Sequence, residues 1–296
     1  AEKLNALRQM GVNRLSMGVQ SSHSDELVLL GRIHTWAEAV DAFTLARKAG
    51  FDNISMDLMY GLPGQALQPL EETLERVLAL EPDHLSLYAL TLEPGTPLAE
   101  TLALGDIPVP DPDLAADMYD AASQHLLDAG FWQYEISNWA RSDVLAPELW
   151  ALPESGNVDS IGTTISQHNV IYWRNEAWLG IGAGAHSWLY GRRFSHHPHP
   201  QSYIHAVHAG DLRGIDNEII PTALAQDETL MLGLRLVEGV SSKQFRERWG
   251  VGLTETYGAT IDKLVSYGLL IWQEGRLRLT TRARLLGNQI FQEFLR

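Results

Sequence analysis

The chain has 296 residues, 45% of them apolar, with nine Trp and a formal net charge of −15. This length and apolar content predict one large core, or a large domain plus a small one, and exclude a disordered chain. Residues 222–296 hold ten Lys/Arg and eight Asp/Glu, a charge of +2, so residues 1–221 carry −17. The acidic bulk repels nucleic acid, and only the mildly basic C-terminal segment leaves DNA binding open.

The sequence contains no cysteine. It therefore offers no disulfide, no thiol nucleophile and no thiolate ligand for an iron–sulfur cluster. No apolar run reaches the roughly 18–20 residues of a membrane span, and the first residues lack the basic and apolar pattern of a signal peptide. These features predict a cytoplasmic protein, with peripheral contact at the inner membrane face left open.

Short apolar segments alternate with helical patterns in the first part of the chain. The candidate strands are Arg14–Val19, Asn53–Leu58, His84–Leu90 and Gln133–Ser137. A capping box from Thr35 to Glu38 predicts the start of a helix that Gly50 ends. Strand–helix units about 30–50 residues apart predict an α/β fold with a parallel sheet. Four strands are too few for a closed barrel, so we expect a partial (βα) barrel that lacks its first half.

Three regions are expected along the chain. Residues 1–140 form the barrel half. Residues 141–221 comprise an exposed excursion (Arg141–Ser166) and a segment that completes the core, with residues 190–212 loop-like and rich in His. Residues 222–296 form a winged-helix-like domain, because three helical patterns precede a hairpin that turns at Glu274-Gly275, and a last helix follows. The three helical patterns are Gln226–Leu236, Ser242–Trp249 and Thr254–Tyr267.

Polar residues stand where two of the predicted strands end. Gln20 closes the first strand, and Asp57 closes the second, just before a Gly/Pro loop. Folds with parallel strands bind ligands at the rim where the carboxyl ends of the strands meet. The Gln20 amide, the Asp57 carboxylate and the guanidinium of Arg32 are therefore candidate ligand-binding groups. Strand caps and a surface charge are the alternative interpretation of these three residues.

Several blocks together resemble one known family. They are GVNRLSMGVQSSHSDELVLLGR (Gly11–Arg32), ISMDLMYGLPG, YEISNWA, HNVIYW and GIGAGAH. The chain resembles the radical-SAM proteins related to oxygen-independent coproporphyrinogen III oxidase, especially their heme-chaperone branch, HemW. This resemblance implies a radical-SAM fold that binds S-adenosyl-L-methionine (SAM) through Gln20, Arg32, Asp57 and, more weakly, Thr91.

The family holds a [4Fe–4S] cluster in a Cys-x3-Cys-x2-Cys loop upstream of the region equivalent to Gly11. The present sequence opens inside a helical pattern and has no initiator Met. We therefore expect an N-terminally truncated chain whose cluster cysteines precede Ala1, with the cluster present in the full-length protein alone.

The block His168–Trp173 matches the HNxxYW signature of the heme-chaperone branch. Imidazole is a natural ligand of heme iron, and Tyr172 and Trp173 can stack on a porphyrin face. Family members commonly have Cys where this chain has Ser166, so heme ligation by a thiolate there is not expected. The alternative for His168 is a hydrogen-bonded core histidine.

The resemblance implies a chaperone that binds heme and delivers it to respiratory haemoproteins. The alternative is an oxidase that converts coproporphyrinogen III to protoporphyrinogen IX. Whether the chain belongs to an enzyme stays open at this point, because the chaperone branch lacks the oxidase activity.

Three further patterns carry weaker hypotheses. The glycines of Gly180–His186 suggest a dinucleotide site, but no helix start and no acidic residue follow at the required spacing, so close backbone approach is the better interpretation. The His-rich run Ser195–Pro200 suggests zinc or nickel, but its spacing fits no closed tetrahedral set. Four arginines near the hairpin suggest DNA binding, although a packing or partner-binding domain is favoured. They are Arg276, Arg278, Arg282 and Arg284.

Overall fold

The computed structural model describes residues 1–141, 164–211 and 214–296. Two compact units divide the chain, Ala1–Ile165 and Ser166–Arg296. Most of the expected excursion Arg141–Ser166 lies outside the described residues. No helix in the described ranges has the length and apolar content needed to cross a membrane.

The first unit holds one five-stranded sheet flanked by helices. Its elements are α1 (Glu2–Gln9), β1 (Leu15–Gln20), α2 (Ser24–Leu29), α3 (Trp36–Lys48), β2 (Ile54–Tyr60), α4 (Leu67–Leu78), β3 (His84–Ala89), α5 (Pro97–Ala103), α6 (Pro112–Asp128), β4 (Phe131–Glu135) and β5 (Asn138–Arg141). The strand order is β1-β2-β3-β5-β4. The first three strands are parallel, as the βα spacing predicts.

The sheet is mixed, which corrects the prediction of a purely parallel sheet. The fourth predicted strand, Gln133–Ser137, is present in part: its first three residues belong to β4, and the chain then turns into β5, which pairs antiparallel with β4. The chain reverses there because the Glu135 carboxylate accepts hydrogen bonds from the backbone N–H of Ser137, at 3.0 Å, and from the Asn138 amide. β5 then pairs antiparallel with β3.

The helices pack on one face of this sheet. Alternate residues of β2, namely Ile54, Met56 and Leu58, are at most 1% exposed and form the centre of the core. The predicted apolar stripe of α4 packs into the same core. The predicted capping box at the start of α3 is present, with Thr35 and Glu38 bonded reciprocally. The other face of the sheet carries the intervening polar residues.

The second unit contains two three-stranded antiparallel sheets and six helices among its described residues. Its elements are α7 (Gln167–Trp173), β6 (His186–Leu189), β7 (Arg192–Ser195), α8 (Pro200–His208), β8 (Ile215–Ile219), α9 (Thr222–Gly233), β9 (Val240–Ser241), α10 (Ser242–Trp249), α11 (Leu253–Ser266), β10 (Leu270–Gln273), β11 (Arg276–Leu279) and α12 (Gly287–Gln292). A short 3₁₀ helix, Thr281–Leu286, precedes α12.

Residues 190–212 were predicted to be loop-like, and this prediction was wrong for β7 and α8. Pro200 at the first position of α8 supplies a pre-organised φ angle for helix entry, which outweighs the loop-like composition around it. β7 pairs with both β6 and β8 and so forms the middle of its sheet.

The C-terminal end of the chain has the predicted winged-helix-like order of three helices, a hairpin and a last helix. The hairpin turns at Glu274 and Gly275, whose φ angles of 51° and 74° are those of a type I′ turn. β9 pairs with β11 and extends the hairpin to three strands.

Candidate functional site

The face of the first sheet opposite the helices carries a row of polar side chains and is here called the polar face. Parallel register aligns Gly18 of β1 with Asp57 of β2, and Asp57 with Ser86 of β3. Side chains at aligned positions share a face of the sheet, so Asp57 lies in the middle of this polar row.

Asp57 lies inside β2 rather than at its end, which corrects the sequence-based placement. Its two carboxylate oxygens accept hydrogen bonds from the Ser16 hydroxyl, at 2.9 Å each. The Ser55 hydroxyl lies 3.3 Å from Oδ1. The carboxylate is therefore oriented by two strands, and Oδ2 retains acceptor capacity for a ligand hydroxyl.

Gln20 turns back over the same face. Its φ angle of 70° is left-handed, and the register between β1 and β2 shifts between Gly18 and Gln20. A Cβ on Gly18 would lie 2.8 Å from the Gln20 amide nitrogen, so the side chain occupies the space that glycine leaves. The amide is thus placed over the strand position that pairs with Asp57.

Arg32 and Thr91 lie in exposed segments, Arg32 after α2 and Thr91 after β3. The structure brings Gln20 and Asp57 onto one face, and it leaves Arg32 and Thr91 accessible at loops that follow strand and helix ends. An aligned amide and carboxylate on the polar face, with an exposed guanidinium, match the hydroxyl and carboxylate groups of SAM in donor and acceptor chemistry.

Two groups near Asp57 have displaced pKa values. Burial lowers the pKa of His84 well below its usual range, and the charge of Arg14 adds to this effect. Burial raises the pKa of Tyr88, and the nearby charges of Asp57 and Glu135 raise it further. His84 is therefore neutral and Tyr88 protonated at neutral pH.

The sequence interpretation missed the residues that surround Asp57. They are Ser16, Gly18, Ser55 and His84. The signal was present, because polar or small residues alternate with apolar ones along both strands, and period-two alternation places them on one face.

The predicted heme block lies on α7. His168 is exposed, and its ring meets Tyr172 edge-on with centroids 4.8 Å apart. These residues are four apart on a helix and so share one face. Trp173 lies differently, because the Arg235 guanidinium covers its ring at 4.6 Å. The structure therefore brings His168 and Tyr172 together and packs Trp173 against Arg235.

Trp178 extends the row of rings, and sequence reasoning missed it. Its ring lies edge-on to Tyr172, with centroids 4.7 Å apart. The next segment exposes large apolar side chains, with Leu179 at 60% and Ile181 at 84% exposure. An exposed imidazole beside aromatic and aliphatic surface is chemically suited to a flat, apolar, iron-bearing ligand.

The glycine block beside this row is explained by backbone packing. A Cβ on Gly180 would lie 2.1 Å from the carbonyl oxygen of His186, so only glycine permits this approach. His196, in the His-rich run, is buried, and its Nε2 lies 3.1 Å from the Gly180 carbonyl. Among the described residues no group of three or more His, Cys, Asp or Glu is arranged to hold a metal ion.

A buried carboxylate joins α7 to the C-terminal hairpin. Glu238 is 2% exposed and forms ion pairs with Arg174, at 3.0 Å, and Arg276, at 2.8 Å. The Arg278 guanidinium donates to the Glu238 carbonyl at 3.1 Å, and Arg282 donates to the Gly268 carbonyl at 3.0 Å. Arg276, Arg278 and Arg282, which were considered for DNA binding, therefore make contacts within the protein.

Comparison with known proteins agrees with these features. Residues 1–77 match the family model of the radical SAM superfamily, and residues 226–286 match that of the HemN C-terminal domain. The heme chaperone HemW of Bacillus subtilis is 36% identical over 100% of this chain and 73% of its own length. The heme chaperone HemW of Lactococcus lactis is 33% identical over 99% of the chain and 72% of its own length.

A mitochondrial relative and a solved structure extend the comparison. The radical S-adenosyl methionine domain-containing protein 1 of Mus musculus is 35% identical, and the match covers 93% of this chain and 60% of that protein. The structure of coproporphyrinogen III oxidase (HemN) from Escherichia coli, a radical SAM enzyme, has a TM-score of 0.77 at 23% identity. The match covers 99% of this chain and 66% of the oxidase chain, and it confirms the expected radical-SAM fold. The similarity to bacterial HemW proteins, which extends over 99–100% of this chain, shows that the chain belongs to the HemW family of radical SAM proteins.

Proposed function

We propose that this chain acts as a heme chaperone, binding heme at the His168 face of α7 and delivering it to haemoproteins of the respiratory chain. The observation that carries the proposal is an exposed imidazole paired with Tyr172 at 4.8 Å, in a chain 36% identical to a heme chaperone. Heme is the cargo, and the recipient haemoproteins are the partners.

In this proposal, different residues of the second unit contact the heme iron and the porphyrin. His168 supplies the axial nitrogen donor for the iron. Tyr172 and Trp178 offer ring edges and faces to the porphyrin, and exposed aliphatic groups cover its rim. Trp173, on the same helix, packs against the Arg235 guanidinium.

SAM is the second ligand in this proposal, bound at the polar face of the first sheet. The Asp57 carboxylate accepts hydrogen bonds from the ribose hydroxyls, Gln20 bonds to the same sugar, and Arg32 pairs with the methionine carboxylate. Thr91 adds a weaker contact. Bound SAM supplies radical chemistry in the superfamily.

A [4Fe–4S] cluster accompanies SAM in this superfamily, but the residues of this sequence do not fit one. The sequence has no cysteine. The residues of this chain therefore bind and orient SAM, and reductive cleavage is not assigned to them.

Coproporphyrinogen III oxidation is the alternative function. Its support in the structure is the likeness to the Escherichia coli oxidase, which at 23% identity concerns the fold. The HNxxYW block and the greater identity to HemW proteins favour the chaperone.

Titration with hemin tests the heme site. We expect a shift of the Soret band on binding and its loss in His168→Ala, because the iron then lacks its axial donor. His205→Ala, an exposed histidine on α8, is the control and should keep the shift. An unchanged heme spectrum in His168→Ala would contradict the assignment and direct attention to the exposed His186.

A further inference from the structure

A chain of hydrogen bonds crosses the polar face of the first sheet from β4 to β2. The Tyr134 hydroxyl lies 2.9 Å from His84 Nε2, and His84 Nδ1 lies 2.8 Å from the Ser55 oxygen. Ser55 is in turn 3.3 Å from Asp57 Oδ1. Tyr134, His84 and Ser55 are at most 5% exposed, so this chain is shielded from solvent.

The proton positions in this chain follow from its carboxylate end. An ionised Asp57 only accepts, so Ser55 donates its single hydroxyl proton to it. The Ser55 oxygen then accepts from His84 Nδ1–H. Because burial holds the pKa of His84 low, the ring is neutral and Nε2 accepts from the Tyr134 hydroxyl. Every donor therefore points toward Asp57.

We propose that Tyr134, His84 and Ser55 are positioning residues that hold the Asp57 carboxylate in the orientation that receives the SAM ribose. This inference rests on the proposed SAM contact of Asp57. Among the described residues, Ser55 and Ser16 both donate to Oδ1, whereas Oδ2 accepts from Ser16 alone. The chain thus fills one oxygen and leaves the other with room for a ligand hydroxyl.

The competing arrangement reverses the direction of the chain. Ser55 would donate to His84 Nδ1, and the ring would donate from Nε2 to Tyr134. Asp57 would then be held by Ser16 alone, and the buried histidine would serve only to pack the sheet. The two arrangements differ in which ring nitrogen carries the proton, which is a measurable property.

Nitrogen-15 NMR of histidine-labelled protein, without SAM, measures directly which ring nitrogen of His84 carries the proton. The His84 signals are assigned by their loss in His84→Gln. We expect the Nδ1–H tautomer in the parent protein and a shift toward Nε2–H in Asp57→Ala, where the Ser55 hydroxyl is free to donate to the ring. The Nε2–H tautomer in the parent protein would overturn the proposal.

Calorimetric titration with SAM tests the effect on the ligand. Tyr134→Phe removes the hydroxyl that donates to His84 Nε2, and we expect SAM binding to weaken about two- to tenfold, the loss of one hydrogen bond. Tyr119→Phe is the matched control, because Tyr119 is also buried and donates to the Ile136 carbonyl at 2.9 Å, outside the chain. Equal SAM affinity in both variants would overturn the positioning role.

Asp57→Ala distinguishes a failure of the proposed SAM contact from a failure of the positioning role. If it leaves SAM binding unchanged, the proposed SAM contact fails, and the NMR result still decides whether the directed chain exists. If it weakens SAM binding while Tyr134→Phe does not, the SAM contact stands and the positioning role fails.

Discussion

The Ser16 hydroxyl donates to both carboxylate oxygens of Asp57, at 2.9 Å each, and so joins β1 to β2 on the polar face of the sheet. A carboxylate fixed before its ligand arrives loses little further freedom on binding, and such preorganisation favours affinity. The contact also explains why Asp57 sits in the middle of its strand, where a neighbouring strand can reach it.

Replacing Asp57 should weaken SAM binding. Loss of a charge-assisted hydrogen bond removes about 1.5–3 kcal/mol, which corresponds to roughly 10- to 150-fold in the dissociation constant. Isothermal calorimetry of Asp57→Ala measures this, with the exposed Asp52→Ala as a control of equal charge change. Unchanged affinity in both Asp57→Ala and Gln20→Ala would refute the site.

Stability should fall in mild acid because of His84. An unfolded histidine titrates near pH 6.5, and burial holds the folded pKa lower. Between these two pKa values the unfolded chain binds more protons, so stability rises with pH. The contribution is complete above about pH 6.5 and is lost as the pH falls below it, with a slope of at most about 1.4 kcal/mol per pH unit.

Denaturant unfolding measures that slope between about pH 7.5 and about pH 5.5, one unit either side of the unfolded pKa. His84→Gln should flatten the dependence. The same substitution at the exposed His199 is the control. A parallel pH dependence in His84→Gln and the parent would show that another group is responsible.

The ion pairs of Glu238 should dominate the stability of the second unit. Removing one partner from a buried pair leaves uncompensated charge and costs about 3–5 kcal/mol. Glu238→Gln leaves Arg174 and Arg276 facing a neutral amide, so its unfolding midpoint should drop strongly. Glu247→Gln breaks an exposed pair with Lys243 and should change the midpoint little. Similar midpoints for the two variants would contradict this role.

Tyr172 should contribute to heme affinity without setting the spectrum. Ring contacts add about 0.5–1.5 kcal/mol beyond area burial, so Tyr172→Ala should weaken hemin binding about 2- to 13-fold. The Soret position should stay that of the parent, because His168 still ligates the iron. Tyr190→Ala, 91% exposed on the β6–β7 turn, is the control. A changed Soret position in Tyr172→Ala would place Tyr172 among the iron ligands.

Local sequence signals predicted much of the fold. The capping box at Thr35 and the turn at Glu274-Gly275 depend on residues close in the chain, and both are present. The β4–β5 hairpin was missed because its reversal depends on side-chain bonds from Glu135 to groups two and three residues ahead, which no periodic pattern reveals.

The candidate sites likewise combine features that local sequence predicts with features that depend on tertiary packing. The pairing of His168 with Tyr172 follows from helical spacing alone, so the sequence was sufficient to predict it. The stacking of Arg235 on Trp173 joins segments far apart in the chain, and such contacts depend on tertiary packing. The orientation of Asp57 likewise depends on strand register, which sequence alone left undetermined.

Heme transfer tests the proposed chaperone function most directly. The protein is loaded with hemin and mixed with an excess of an apo-haemoprotein, and absorbance of the separated proteins shows where the heme resides. We expect transfer to the acceptor and little loading of His168→Ala. Heme that stays bound to the loaded protein would contradict a chaperone.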